Sequence, residues 1–294
     1  MTTMPTQLVC LAPLREFVAP DFVPPPGACD THAHVIGDGV VFPFVENRSY
    51  TPPPATEQDY LAMLAACGMS RGVLVQVSVH GTDNRYMLQA LSRHPDRLRG
   101  VCVIDSGISD AELRAMHDAG VRGVRFNVLF GGGVGFDELE RVAARIAPLN
   151  WHVQILMDVR DLPDLYPRMA NLPVPRVIDH MGHMPVSTGM QHAGFQALCR
   201  GVQEQGWWVK LSGAYRISEQ DAYDKVTPWA QHLIEIAPDR VVWGSDWPHV
   251  GVAPMPDTVA MLNLLAKWAP DESVRNRILV DNPQRLYDFP PLST

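Results

Sequence analysis

The sequence predicts an α/β protein of the (β/α)8 TIM-barrel type, regular or distorted, with C-terminal helical pieces. Three observations predict it. Eight short β-branched runs recur along 294 residues, each nearly continuous in apolar residues, and amphipathic stretches separate them with short connections. Strands without polar–apolar alternation are buried on both faces, the condition of parallel strands covered by helices. An open doubly wound sheet is the alternative, weakened by the absence of Gly-x-Gly-x-x-Gly after the first strand. No change of composition suggests a linker, so one domain over 1–294 is expected.

The breaker run Pro24-Pro25-Pro26-Gly27 precedes the first strand, at 29–36. Residues 57–67 place apolar side chains at helical spacing and stop at Gly68. Strands follow at 72–79 and 100–104. The next helix, 109–119, opens on the capping-box pair Ser109 and Glu112 and closes at Gly120. Strands at 123–128, 152–157, 176–179, 208–212 and 240–244 then alternate with helices at 136–149, 162–171, 194–205, 228–236 and 257–268. Helical pieces at 272–280 and 284–287 end the chain. Prolines, 26 in all, collect in loops such as Pro52-Pro53-Pro54, which they stiffen.

Hydrophobic residues are 46% and charged residues 19% of the chain, as in ordinary globular proteins. A net charge of −8 argues against a broad nucleic-acid or anionic-membrane footprint. Cys10, Cys29, Cys67, Cys102 and Cys199 are scattered without a disulfide-like or Cys-x-x-Cys pattern, and no signal-peptide pattern or apolar run of membrane length occurs. A cytoplasmic enzyme with reduced thiols is expected, one for which a homo-oligomer is compatible.

Barrel chemistry sits at the C-terminal ends of the strands. There the first strand offers His32 and His34, which at i and i+2 share one side of a strand. The second offers Ser78, then His80, Thr82 and Asp83; the fourth, Arg125 and Asn127; the sixth, Asp179 and His180. The seventh is followed by Ser212, Tyr215 and Arg216, and the eighth by Ser245, Asp246 and His249. A single strand-end histidine is commonly structural. Three histidines, an aspartate and two arginines on one rim point to a site.

This set resembles the amidohydrolase superfamily, of amidohydrolase-2 type. The residues concerned are His32-x-His34, Val177-Ile178-Asp179-His180-Met181-Gly182, and Trp243-Gly244-Ser245-Asp246-Trp247-Pro248-His249. Within the superfamily the chain is similar to the 2-pyrone-4,6-dicarboxylate lactonase branch. Val75-Gln76, residues 81–85 and 120–127, and Asp281-Asn282-Pro283 extend the resemblance over essentially the whole chain, from about Cys29 to Tyr287. It implies hydrolysis of a carboxylated lactone, aromatic-catabolic or sugar-acid derived, with no obligatory cofactor. His32, His34 and His180 would polarise the carbonyl and stabilise the oxyanion. Asp246 would take a proton from the attacking water and deliver it to the leaving oxygen. The chemistry of an ester asks independently for an electrophile on its carbonyl and a base beside a water.

The implied partner is a small anionic lactone. Arg125 and Arg216 match carboxylate-gripping arginines, Tyr50 and Ser78 match neighbouring polar contacts, and Asn127, His183 and His249 complete the expected substrate-binding set. The chain departs from the branch at three places. Leu129-Phe130-Gly131 replaces a further arginine, Leu156 a tyrosine, and His183 an arginine, so a substrate with fewer carboxylates, down to one, is expected. The triple glycine at 131–133 reads as a close-approach loop rather than a phosphate cradle, since no Lys-Ser/Thr follows. One divalent ion, Zn2+ or Mn2+, is compatible with His32, His34, His180 and Asp246. A binuclear site is not, because the fourth and fifth strands supply no further ligand and His152 stands at the wrong end. A metal-dependent decarboxylase or a lactone isomerase on the same barrel is the alternative reading, and a non-catalytic binding barrel a third.

Overall fold

The computed structural model describes residues 8–130, 134–219 and 223–291. Eight parallel strands succeed one another in chain order. They are β1 Cys29–Ala33, β2 Arg71–Val75, β3 Leu98–Cys102, β4 Val121–Asn127, β5 His152–Leu156, β6 Arg176–Ile178, β7 Trp208–Leu211 and β8 Val241–Trp243. A helix follows each: α1 Glu57–Ala66, α2 Arg85–Arg93, α3 Asp110–Asp118, α4 Leu139–Ile146, α5 Leu162–Ala170, α6 Ala193–Gln205, α7 Thr227–Ile236 and α8 Thr258–Trp268. The barrel expected from the sequence is present.

Its seam is irregular. β8 returns to β1 through Asp246 N–H donating to the His32 carbonyl and His34 N–H to the Trp247 carbonyl, both 2.8 Å. Closure therefore runs through the residues just beyond β8, and the backbone of the His-x-His segment is held against the Asp246 loop.

The structure corrects several element limits. α2 is not expected from the sequence: its ends and centre are polar, and Met87, Ala90 and Leu91 make only a narrow buried stripe. The first two strands end at Ala33 and Val75 because the chain then turns over the rim; Ile36 already bridges Ala55. The expected helix at 136–149 is three pieces, with tight turns at Phe136–Glu138 and Ala147–Leu149 flanking α4. A two-stranded parallel pair, Leu8–Val9 with Tyr50–Thr51, is also unexpected and carries Tyr50 to the rim. Ser109 caps α3 with Glu112 in the expected reciprocal box.

The opposite end of the barrel is stoppered by the C-terminus. Helix Asn282–Tyr287 is anchored by Asn282 Nδ2, which donates to the carbonyls of Pro238 (2.8 Å) and Val241 (2.7 Å). Tyr287 and Phe289 then join Cys29, Val73, Val75 and Val101 in one buried cluster. The Arg71 and Arg99 guanidiniums lie 5.1 and 4.8 Å from the Phe289 ring centre. Phe289→Ala is expected to cost about 3 kcal/mol, read as a lower urea midpoint. An unmoved midpoint would show that the stopper adds nothing to barrel stability. Among the described residues no helix is long and apolar enough to cross a membrane.

Candidate active site

The register of β1 against β2 slips between Asp30 and Ala33. A bulge of this kind re-aims side chains, and here His32 and His34 both turn toward Asp246. Their rings stand 5.1 Å apart at 87°. Room for His32 comes from Gly244, where a Cβ would lie 2.6 Å from the His32 Cβ. Asp30 fastens the same corner. Its Oδ1 accepts from Ser245 N (2.8 Å) and His32 N (3.1 Å), and its Oδ2 from Ser245 Oγ (2.6 Å) and Tyr60 OH (3.2 Å). Burial pushes this carboxyl up to about 6 against those four donors. Sequence reading assigns Asp30 no part, although it adjoins the His-x-His motif.

Asp246 and His180 both have positive φ, 63° and 51°. Such backbone costs a non-glycine residue roughly 1–2 kcal/mol and persists where surroundings over-determine it. Asp246 Oδ2 accepts from Tyr215 OH and Arg216 Nε, each at 2.6 Å. Oδ1 has no hydrogen-bond partner and faces His32 Nε2 at 3.7 Å and His34 Nε2 at 3.6 Å. His180 Nε2 lies 3.8 Å from Oδ2. Burial raises the Asp246 carboxyl, but the Arg216 guanidinium is the strongest opposing influence, and the carboxyl lies well below the usual carboxylate range. Burial also pushes His32 down to about 3 and lowers His34 and His180. At neutral pH an ionised carboxylate is thus surrounded by uncharged imidazoles.

His34, His180 and Asp246 line a cleft at the rim. His34, His180, Asp246, Arg125 and Arg216 form its charged and imidazole wall; Tyr50, Ser78 and Asn127 add hydroxyl and amide groups; Phe130, Leu156 and Val250 make the apolar side. Tyr50 OH and Ser78 Oγ are 3.0 Å apart. Asn127 Oδ1 is occupied by the amides of Leu129 and Phe130, both 3.0 Å, so it shapes the loop; the glycines at 131–133 lie outside the described residues.

Other expected site residues stand back from the cleft. His32 is fully buried beneath it. His183 meets Phe130 and His180 edge-on. His249 lies behind Tyr215, its Nδ1 3.1 Å from the phenol and its Nε2 2.8 Å from Thr258 Oγ1. His80 accepts from Gly37 N at 3.1 Å, and Asp83 pairs with Arg85. The two arginines also differ. Arg216 spends its fork on Asp246 and the Val250 carbonyl (3.1 Å). Arg125 keeps Nε unbonded, 3.6 Å from Asp179 Oδ2, with one long bond from Nη1 to the Gln76 carbonyl (3.4 Å).

Sequence reading misses Lys210 altogether. It sits fully buried in β7, inside the apolar run Trp207-Trp208-Val209-Lys210-Leu211. Its Nζ donates to the Thr31 carbonyl and Gln154 Oε1, both 2.7 Å, and lies 3.4 Å from His32 Nδ1 and 3.9 Å from Asp179 Oδ1. Burial pushes the ammonium down to about 8, with Asp179 opposing. A lone lysine amid tryptophans and valines is the available signal, since an unpaired buried ammonium is costly.

Could the cluster hold a metal? His32 Nε2 and Asp246 Oδ1 are buried without hydrogen-bond partners, and His32, His34 and Asp246 bring their ligand atoms within 4.8 Å of one another. Imidazole nitrogens with a carboxylate oxygen suit Zn2+ and other divalent ions. The residues fit.

A family model described as amidohydrolase matches residues 29–289. A 2-pyrone-4,6-dicarboxylate hydrolase of Comamonas testosteroni is 42% identical over 282 residues, spanning 91% of this chain and 92% of that protein. A 4-sulfomuconolactone hydrolase of Rhizobium radiobacter is 41% identical over 285 residues, spanning 95% of each. A crystal structure of an Agrobacterium tumefaciens protein in its apo form superposes with a TM-score of 0.85 at 29% identity, covering 93% of this chain and 98% of that one.

Proposed function

The chain belongs to the amidohydrolase family, and on that premise we propose that it hydrolyses a lactone carrying one anionic group. The observation that carries this reading is the unpartnered Asp246 Oδ1, buried among neutral imidazoles at the cleft while Oδ2 is clamped by Tyr215 and Arg216. A carboxylate held this way presents one free oxygen in a fixed direction. That is the requirement for a base acting on a water.

Water, held at Oδ1, attacks the lactone carbonyl carbon. A carbon–oxygen bond forms, and the water's proton passes to Asp246. His180, from the cleft wall, polarises the carbonyl and faces the oxyanion that develops. Collapse breaks the ring carbon–oxygen bond, and the proton on Asp246 moves to the departing oxygen. The product is the open-chain hydroxy acid. A divalent ion, when bound by His32, His34, His180 and Asp246, would supply Lewis-acid polarisation of the same carbonyl.

Substrate charge is matched by Arg125, whose guanidinium lines the cleft and whose Nε, 3.6 Å from Asp179 Oδ2, makes no hydrogen bond. Arg216 is already neutralised by Asp246. Phe130, Leu156 and Val250 suit an uncharged remainder. The homologues named as lactone hydrolases support the bond type.

The test is a panel of mono- and dicarboxylate lactones, with acid release and ring opening followed with and without a chelator. We expect one acid equivalent released per ring opened, highest kcat/KM on a monocarboxylate, and a rate that survives chelation. Inert lactones would overturn the reading. Conversion to a second lactone without acid release would replace it with isomerisation.

A further inference from the structure

Resting on that reading, we infer that Lys210 is a positioning residue that sets His32 and His34 in opposite tautomers, dividing their work at Asp246. The argument begins with what each Nδ1 touches. His34 Nδ1 lies 2.7 Å from the Val75 carbonyl, which can only accept. His34 therefore carries its proton on Nδ1 and turns a bare Nε2 toward the cleft.

His32 faces the reverse. Its Nδ1 lies 3.4 Å from Lys210 Nζ, an ammonium that can only donate and whose other two hydrogens are taken by Thr31 and Gln154. Asp179 Oδ1 is 3.3 Å from the same nitrogen, yet makes no hydrogen bond to it. The neighbour hydrogen-bonded to this nitrogen is the donor. His32 thus accepts at Nδ1 and carries its proton on Nε2, aimed at Asp246 Oδ1 across 3.7 Å.

Two consequences follow. His34 Nε2 and Asp246 Oδ1, 3.6 Å apart, form a pair of acceptors. A water needs such a pair to have both of its hydrogens held while its lone pair faces a carbonyl. His32, one layer below, turns the positive end of its N–H toward the carboxylate across 3.7 Å, too long for a hydrogen bond. A neutral ring with its proton on Nε2 also has no lone pair there for a metal, so the Lys210 contact opposes metal binding by His32.

Long-range nitrogen-15 spectra of the metal-free protein, with His32 and His34 assigned through His32→Asn and His34→Asn, read the tautomers without any substrate. We expect the proton on Nε2 of His32 and on Nδ1 of His34. A proton on Nδ1 of both would overturn the inference, whatever lactone is turned over. In Lys210→Met, nearly isosteric and uncharged, the His32 proton should move to Nδ1. Its kcat should fall and its Zn2+ affinity by calorimetry rise, each by about 10–100-fold, with KM within about twofold. Unchanged kcat and unchanged Zn2+ affinity in a folded variant would equally overturn it. Should that variant fail to fold, the spectrum of the unaltered protein decides alone.

Discussion

Asp246→Asn is expected to abolish hydrolysis, lowering kcat by about 10²–10⁴-fold, the range that removal of a general base produces, with KM little changed. Asparagine keeps the shape and can still accept from Tyr215 and Arg216 through its carbonyl, so the barrel should fold. What it lacks is a second oxygen with proton affinity where Oδ1 now stands free. Steady-state kinetics on a turned-over lactone, beside a thermal melt, checks both halves. Normal turnover by the folded Asp246→Asn variant would end the proposed role of the carboxylate. The positive φ at this position favours the choice of asparagine, which tolerates left-handed backbone better than most residues.

Removing the cation opposite has a second large effect. Arg216→Ala leaves a buried carboxylate without its 2.6 Å partner, and breaking such a pair costs about 3–5 kcal/mol at pH 7. The pH dependence has a definite sign. Asp246 in the folded protein lies well below its ordinary value, so its contribution is full above the unfolded carboxylate range, near about 4. That contribution fades as pH falls through the depressed folded value. Without Arg216 burial prevails and the carboxyl rises. The stability deficit of the variant should therefore be largest at neutral pH and narrow below about pH 4. Urea melts of both proteins at neutral and acidic pH measure it. A gap independent of pH would mean that Arg216 acts through packing alone. Because its fork is committed to Asp246 and Val250, kcat should fall more than KM rises; a rise in KM alone would return Arg216 to substrate recognition.

Much of this arrangement is legible in the chain. Period-two logic puts His32 and His34 on one side, and the ends of the sixth and eighth strands place His180 and Asp246 on the same rim. Both follow from local pattern, because strand and helix periods are set by neighbouring residues. α2 escapes because nine residues with charged ends carry too narrow an apolar stripe to stand out. Arg216 is legible as a rim arginine but not as the partner of Asp246, thirty residues away. Lys210 is invisible as a functional residue, since its contact with Thr31 spans 179 positions.

The sequence by itself determined the barrel, the rim and the residue types gathered there. Only the tertiary structure decided depth and pairing: His32 beneath the cleft, Arg216 spent on Asp246, Arg125 set against Asp179, and Lys210 under His32. The physical reason is that a buried charge takes whichever partner the closed barrel brings within about 3 Å. That choice depends on a bulge in β1 and a seam between the first and last strands, neither of which is written in the spacing of any one segment.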